Sequence, residues 1–200
     1  MAQKLRLDDQ GIQSALQRMA EAGVENAAAG LSQMIGQRIT MSVPRVTSVP
    51  LASVAERVGG PEAQVVGIYV AAEGDLTGHM MLIMGLDDAQ RLVNLLLGQV
   101  DDCVVGLNAL GRSALAEVGN LTASFFLNAI ASLMQCSARP SPPAVVVDMA
   151  GAILDIMLVS AGELSDDILL LETLFESEGR QMTILFWVLP DLLTLESLLL

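Results

Sequence analysis

Positive charge and aromatic residues are both scarce in this chain. Of its 200 residues only 10 are lysine or arginine, against 23 acidic residues, so the net charge at pH 7 is −13. A surface that follows nucleic-acid phosphates needs clustered basic residues, and we therefore expect no nucleic acid among its partners. Aromatic residues make up 3% and hydrophobic residues 52%, which predicts an aliphatic core of useful size.

Cysteine and histidine are almost absent as well. Cys103 and Cys136 lack the spacing of a metal site, and His79 is the only histidine. A zinc site, a Cys/His nucleophile pair and a Ser-His-Asp triad each lack the residues that they need. Two reduced, buried thiols are typical of a cytosolic protein. We accordingly predict a cytoplasmic protein with no metal of its own.

No segment has the composition of a membrane anchor or a secretory signal. The first ten residues, MAQKLRLDDQ, contain no apolar stretch. Segment 118–138 carries no charge, but it contains polar residues at short intervals, where a spanning helix needs about 20 predominantly apolar ones. We expect a buried amphipathic helix there, and no membrane. These polar residues include Asn120, Thr122, Ser124, Asn128, Ser132 and Gln135.

The chain divides into two halves with the same order of elements. Each half begins with a long helical pattern and passes a proline; it then contains two strand-like runs separated by turn residues and closes with a shorter helical pattern. In the first half the helices cover 8–37 and 87–97, and the strands cover 64–72 and 76–84. In the second half the helices cover 107–137 and 191–199, and the strands cover 167–175 and 181–189.

The two halves also align residue by residue. At an offset of 99, Ser14 falls on Ser113 and Pro44 on Pro143; at an offset of 101, Gly78 falls on Gly179. The change of offset predicts a two-residue difference in loop length, and we interpret the pattern as a duplication.

Segment 98–107 between the halves is too apolar for a flexible linker, so the halves are expected to share one core. We predict a single domain over 1–200, with halves at about 8–100 and 106–200. Its fold class is α/β, with two pseudo-symmetric halves whose long helices pack on a mainly antiparallel sheet.

The second long helix carries a polar stripe made of Ser113, Glu117 and Asn120. Residues three and four apart share a helix face, so the apolar residues around the stripe are expected to face the core. Gly119 costs helix stability, about 1 kcal/mol relative to alanine, which predicts that another backbone approaches closely beside Asn120. The expected core residues are Leu115, Val118, Leu121, Phe125 and Ala129.

A carboxylate beside a carboxamide suits the hydrolysis of an acyl phosphate. The bond is already activated, so the protein needs only to place water in line with it. The Asn120 amide could accept a hydrogen bond from the water and donate one to a phosphoryl oxygen. Glu117 could pair with a basic side chain of the phosphorylated protein. A Glu and an Asn at this spacing are, however, also common on solvated helix faces, and spacing alone does not separate the two interpretations.

The motif S-x3-E-x2-N, followed by 22 residues and a proline, consists of Ser113, Glu117, Asn120 and Pro143. It resembles the signature of the CheC/CheX/FliY family, phosphatases of the phosphorylated chemotaxis regulator CheY, and the chain is most similar to CheC. Further segments that resemble CheC family sequences occur in the same order along the chain: N26-A-A, S42-V-P44, L82-I-M-G85 and V146-V-D148-M. The resemblance implies two pseudo-symmetric halves.

The resemblance also implies roles for individual residues. Glu117 would engage the regulator's active-site lysine, Asn120 would orient the attacking water, and Ser113 and Pro143 would support the same face. The Mg²⁺ would belong to the regulator, so no cofactor of the chain's own is expected. In this family the region after Pro143 docks the receptor deamidase CheD, which makes Asp148 a candidate docking residue; a surface aspartate that caps a packed segment is the alternative.

The first half departs from the signature. Its corresponding positions are Ser14, Arg18, Glu21 and Pro44, so an arginine replaces the glutamate and a glutamate replaces the asparagine. Arg18 would repel a basic partner and Glu21 would oppose a phosphate. We predict one working site, with Arg18 and Glu21 paired along the helix.

Two other interpretations remain open. A non-catalytic adaptor would hold the regulator or a CheD-type deamidase without turnover. A flagellar-switch component is disfavoured because the phosphatase-like unit uses all of the sequence. The aspartate pairs 87–88, 101–102 and 166–167 lack EF-hand spacing and are expected at helix starts and turns.

Overall fold

The computed structural model describes residues 10–36, 38–42, 45–50, 53–98, 107–161, 167–177 and 180–191. The helices in these residues are α1 Gln10–Ile35, α2 Val54–Arg57, α3 Leu86–Leu96, α4 Ala109–Met134 and α5 Ala150–Ala161. The strands are β1 Ile39–Met41, β2 Arg45–Pro50, β3 Gln64–Gly74, β4 Gly78–Gly85, β5 Ala138–Pro140, β6 Ala144–Met149, β7 Asp167–Ser177 and β8 Arg180–Pro190.

The strands form one antiparallel sheet in which the two halves exchange their edge strands. Hairpins β3–β4 and β7–β8 meet at the centre, where β4 pairs with β8. Strands β1 and β2 of the first half pair with β7, whereas β5 and β6 of the second half pair with β3. The predicted fold class, helices on a mainly antiparallel sheet, is confirmed. The single-domain prediction stays a prediction, since both termini lie outside the described residues.

The strand register relates the two halves by a pseudo-twofold axis. One row of paired residues crosses six strands in the order Val46, Leu171, Phe186, Leu82, Ile68, Val145. From one end the row crosses β2, β7 and β8, and from the other end it crosses β6, β3 and β4. The row therefore matches each strand of one half with its counterpart in the other.

The row also corrects the predicted offset of 101. Residues 46 and 145 are 99 positions apart, as predicted, but 68 and 171 are 103 apart and 82 and 186 are 104 apart. The reason is a longer connection in the second half. There are 13 residues between β2 and β3, which include the one-turn helix α2, and 17 between β6 and β7, which include α5.

The alternation of the central strands divides the core into two layers. Ile68, Leu82 and Phe186 belong to the layer under α1 and α4, and the neighbouring positions belong to the layer packed with α2 and α5. Side chains of successive strand residues point to opposite faces, so a sheet covered on both faces reads as a continuous apolar run. This pattern explains why the strands could be predicted from their uniform hydrophobicity.

Helix α4 contains a stretch, Ala109–Ser132, that is long and apolar enough to cross a membrane by length and composition. Leu115, Val118 and Phe126 of this helix are buried against the rest of the fold. In the part of the chain that the structure describes, this apolar stretch therefore belongs to a core helix. The predicted final helix, 191–199, has only Asp191 within the described residues, and Cys103 lies outside them.

Candidate functional site

Helix α4 starts at a well-formed cap that fixes where its polar stripe lies. The side chain of Asn108 accepts a hydrogen bond from the Gly111 N–H at 2.9 Å, the usual geometry of an asparagine cap. The Arg112 guanidinium donates to the carbonyl oxygens of Leu107 at 3.3 Å and Val145 at 3.4 Å. Arg112 thus ties the first turn of α4 to β6.

The structure places the three predicted stripe residues on the outer surface of α4. Ser113 and Glu117 are exposed, whereas Asn120 is half-buried. Leu110 lies three residues before Ser113, on the same helix face, and keeps 59% of its surface exposed. The sequence reasoning missed Leu110, although its spacing of seven residues from Glu117 would have revealed it.

The buried face of α4 differs in part from the prediction. Leu115 and Val118 are buried as expected, but Leu121, Phe125 and Ala129 are only half-buried. The sheet covers one side of the helix and α1 covers another. The buried face of α4 is therefore broader than the predicted single stripe and is rotated relative to it. The core positions that replace them are Thr122, Ala123, Phe126, Leu127 and Ile130.

Gly119 lies where α4 packs closely against the sheet. A Cβ on this residue would stand 2.4 Å from Cγ2 of Ile68 and 3.8 Å from Cβ of Pro143. The predicted close neighbour beside Asn120 therefore exists, but it is the Ile68 side chain rather than another backbone. Pro143 is half-buried and also lies close to Gly119, the residue before Asn120.

The first-half positions occupy the corresponding face of α1. Ser14, Arg18 and Glu21 are exposed, and Pro44 lies outside the described residues. The predicted pair of Arg18 with Glu21 is not formed: the Glu21 carboxylate accepts a hydrogen bond from Nε2 of Gln17 at 2.9 Å. Gln17 lies one full turn before Glu21, and this spacing brings the two side chains together on the helix surface.

Asp148 lies at the end of β6 and is exposed. Its carboxylate accepts a hydrogen bond from the backbone N–H of Met149 at 2.8 Å, and Met149 keeps 48% of its surface exposed just before α5. The predicted partly helical region after Pro143 is thus a strand followed by a helix. The role of Asp148 as a docking residue stays a prediction.

Among the remaining acidic candidates, Asp88 has structural partners. Asp88, in the first turn of α3, accepts hydrogen bonds from Arg91 at 3.1 Å and from the Thr183 N–H at 3.0 Å. Asp167 begins β7, and residues 101–102 and 166 lie outside the described part. No group of three potential metal ligands occurs among the described residues.

His79 has a partner that the sequence did not reveal. Its Nδ1 lies 2.8 Å from the Tyr69 hydroxyl, and the two rings stack with centroids 5.9 Å apart. Burial lowers the pKa of His79, and the nearby Asp191 carboxylate opposes this shift. Burial also raises the pKa of Tyr69. Tyr69 packs with the layer of α2 and α5, so this pair lies on the other face of the sheet from α4.

The chain is similar in sequence to known proteins. The model of the CheC-like family matches residues 110–147, which contain all four signature positions of the second half. The CheY-P phosphatase CheC of Bacillus subtilis (strain 168) is 28% identical over 187 residues, which cover 92% of this chain and 90% of that protein.

Two solved structures show the same fold. Thermotoga maritima FliY superposes with a TM-score of 0.77 at 17% identity, covering 96% of this chain and 98% of that one. A chain of the CheX–CheY–BeF3–Mg²⁺ complex from Borrelia burgdorferi gives a TM-score of 0.51 at 17% identity, covering 84% of this chain and 96% of that one.

Proposed function

The chain belongs to the CheC/CheX/FliY family, and from that premise we propose that it hydrolyses the aspartyl phosphate of a CheY-type response regulator. The observation that carries the proposal is the exposed Glu117 beside the half-buried Asn120 on a capped, well-packed helix. The Bacillus relative supports the activity by its name, and the Borrelia complex supports a regulator as partner. We propose a cytoplasmic location, where such a regulator acts.

The two side chains divide the work according to their exposure. The Glu117 side chain is exposed to solvent, so it can reach the active-site lysine of the regulator when the two proteins dock. Asn120 is half-buried and directly follows Gly119, which Pro143 approaches, and its amide would orient the attacking water toward the phosphoryl group. Positioning of this kind needs no general base of matched pKa.

The phosphorylated regulator brings the charge-neutralising groups to the reaction. Its own Mg²⁺ belongs to the substrate in this proposal. Ser113 supports the outer face of α4, and Leu110 offers an apolar contact one turn away from Ser113. Docking would remove water from the stripe and strengthen the interactions of Glu117 and Asn120.

The first half is proposed to lack activity. Arg18 stands where Glu117 stands in the second half, and it would repel the lysine of a regulator. Glu21 stands where Asn120 stands, and its carboxylate already accepts a hydrogen bond from Gln17. One active site per chain follows.

The decisive experiment measures the release of phosphate from a phosphorylated CheY-type regulator of the same organism. Wild-type protein at a tenth of the regulator concentration should clear all of it. Asn120→Ala and Glu117→Ala should each lower the rate by about 10²-fold, since each removes a positioning contact made at the reacting centre. Folded variants that keep the wild-type rate would refute the site.

The second candidate function is an adaptor without turnover. The exposed residues Asp148 and Met149 favour this function, because they form a candidate protein-docking surface apart from the polar stripe. A CheD-type deamidase is the partner proposed for that surface. The same assay separates the two functions, because an adaptor would bind the regulator in proportion to its own amount and release no phosphate beyond that of the regulator alone.

A further inference from the structure

We infer that Gly119 is a positioning residue of the proposed phosphatase site: because it lacks a Cβ, Ile68 can lie directly against α4, and this contact sets the depth of Asn120. The inference rests on the proposed function and adds to it a residue that touches neither the substrate nor water. Gly119 is buried on the side of α4 that faces the sheet, one residue before Asn120.

The contact with Ile68 leaves no room for any larger residue. A Cβ on Gly119 would lie 2.4 Å from Cγ2 of Ile68 and 3.5 Å from its Cβ, and a separation under 3.0 Å forces something to move. Cγ2 is a branch methyl at the stiff χ1 position rather than the flexible end of a long side chain. The overlap cannot be relieved by a small rotation.

The strand under α4 cannot retreat either. Ile68 is fully buried, and its strand β3 is paired on both sides, with Leu82 of β4 and Val145 of β6. Arg112 also ties the start of α4 to the same β6. An alanine at position 119 therefore has to lift or tilt α4 at the level of Asn120.

Such a movement would affect chemistry more than binding. Asn120 follows Gly119 directly and would rise with it relative to Pro143, and a displacement of about 1 Å at a reacting centre can cost about 10²-fold in rate. Glu117 already stands exposed at the surface and could follow the docked regulator. We therefore expect the loss to fall on kcat.

The first half shows that the fold itself does not demand this glycine. At the offset of 99 that relates α1 to α4, the counterpart of Gly119 is Ala20, which is fully buried. A helix at the same place in the duplicated unit thus carries a Cβ. The glycine accompanies the intact signature and is missing where Glu21 has replaced the asparagine.

The test compares Gly119→Ala with the double variant Gly119→Ala/Ile68→Ala, which removes the crowding methyl group. We expect kcat per folded protein to fall about tenfold or more in Gly119→Ala, while the Kd for a beryllofluoride-loaded regulator stays within about threefold of wild type. The double variant should recover most of the lost kcat, because the new Cβ takes the space that the methyl group leaves. Ile68→Ala alone removes the contact without adding a Cβ, so it should be less stable and should lose less kcat than Gly119→Ala.

A matched control crowds α4 elsewhere. In Gly30→Ala the new Cβ would lie 2.5 Å from Cε2 of Phe125, a similar overlap that the end of a half-buried ring can relieve, so kcat should not change. The inference fails if Gly119→Ala keeps its kcat, if Gly30→Ala loses as much, or if the double variant shows no recovery. An inactive wild-type protein would instead refute the proposed function, and this inference with it.

Discussion

Leu82 of β4 pairs directly with Phe186 of β8, and these two residues are each other's counterparts in the two halves. Beyond them, Ile68 is matched by Leu171 in the same row of the sheet. The ring of Phe186 also packs edge-on against Phe126 of α4, with centroids 5.1 Å apart at 85°. The pseudo-twofold axis therefore passes through the core under the helices, and differences between α1 and α4 can be compared position by position.

The first prediction concerns the number of sites. Since Arg18 and Glu21 replace the two signature residues, Arg18→Ala and Glu21→Ala should leave the phosphatase rate within about twofold of wild type, the size expected of surface changes away from a site. Titration calorimetry with a beryllofluoride-loaded regulator should give one regulator per chain. A stoichiometry of two, or a large loss of rate in either variant, would show that the α1 face takes part.

The second prediction concerns docking. Leu110 is exposed on the face that carries Glu117, so Leu110→Ala should weaken regulator binding by about 1 kcal/mol, roughly a fivefold rise in KM with kcat unchanged.

Met149→Ala is the matched control, because Met149 is the other exposed large hydrophobic residue in the described part of the chain and lies at the end of β6. It should leave KM unchanged. Equal effects of the two substitutions would remove Leu110 from the interface.

Elements with a strong local signal were predictable from the sequence. The long helices expected at 8–37 and 107–137 are α1 Gln10–Ile35 and α4 Ala109–Met134, because caps and apolar spacing are local features. Both hairpins were predicted for the same reason, from apolar runs around turn residues. The offset of 99 also holds for the helices, whose first and last residues are each 99 positions apart.

Features that depend on contacts distant in sequence were not predictable. The exchange of edge strands between halves needs the pairing of β2 with β7 and of β6 with β3, and nothing local to those strands encodes it. The identity of the neighbour of Gly119 failed in the same way, since Ile68 is 51 positions away in the sequence. The glycine itself indicated the close approach, but not what makes it.

The third prediction concerns pH and uses His79, the only histidine of the chain. Burial lowers its pKa below the ordinary value of 6.5, against the opposing attraction of Asp191. The folded state then binds fewer protons than the unfolded state, so its contribution to stability is present above pH 6.5 and is lost as the pH falls through the folded-state pKa. The free energy of unfolding should therefore decline below about pH 6.5.

Chemical denaturation between about pH 7.5 and 5 measures this decline, and ordinary carboxylates contribute little in that range. His79→Gln should flatten the decline because it removes the titrating group. Tyr69→Phe removes only the hydroxyl that lies 2.8 Å from Nδ1, so it should lower stability by about 1 kcal/mol at pH 7.5 and keep the decline. A His79→Gln variant with the wild-type pH dependence would show that another group is responsible. Neither substitution should change the phosphatase rate at pH 7.5, because Tyr69 and His79 lie on the opposite face of the sheet from Glu117 and Asn120.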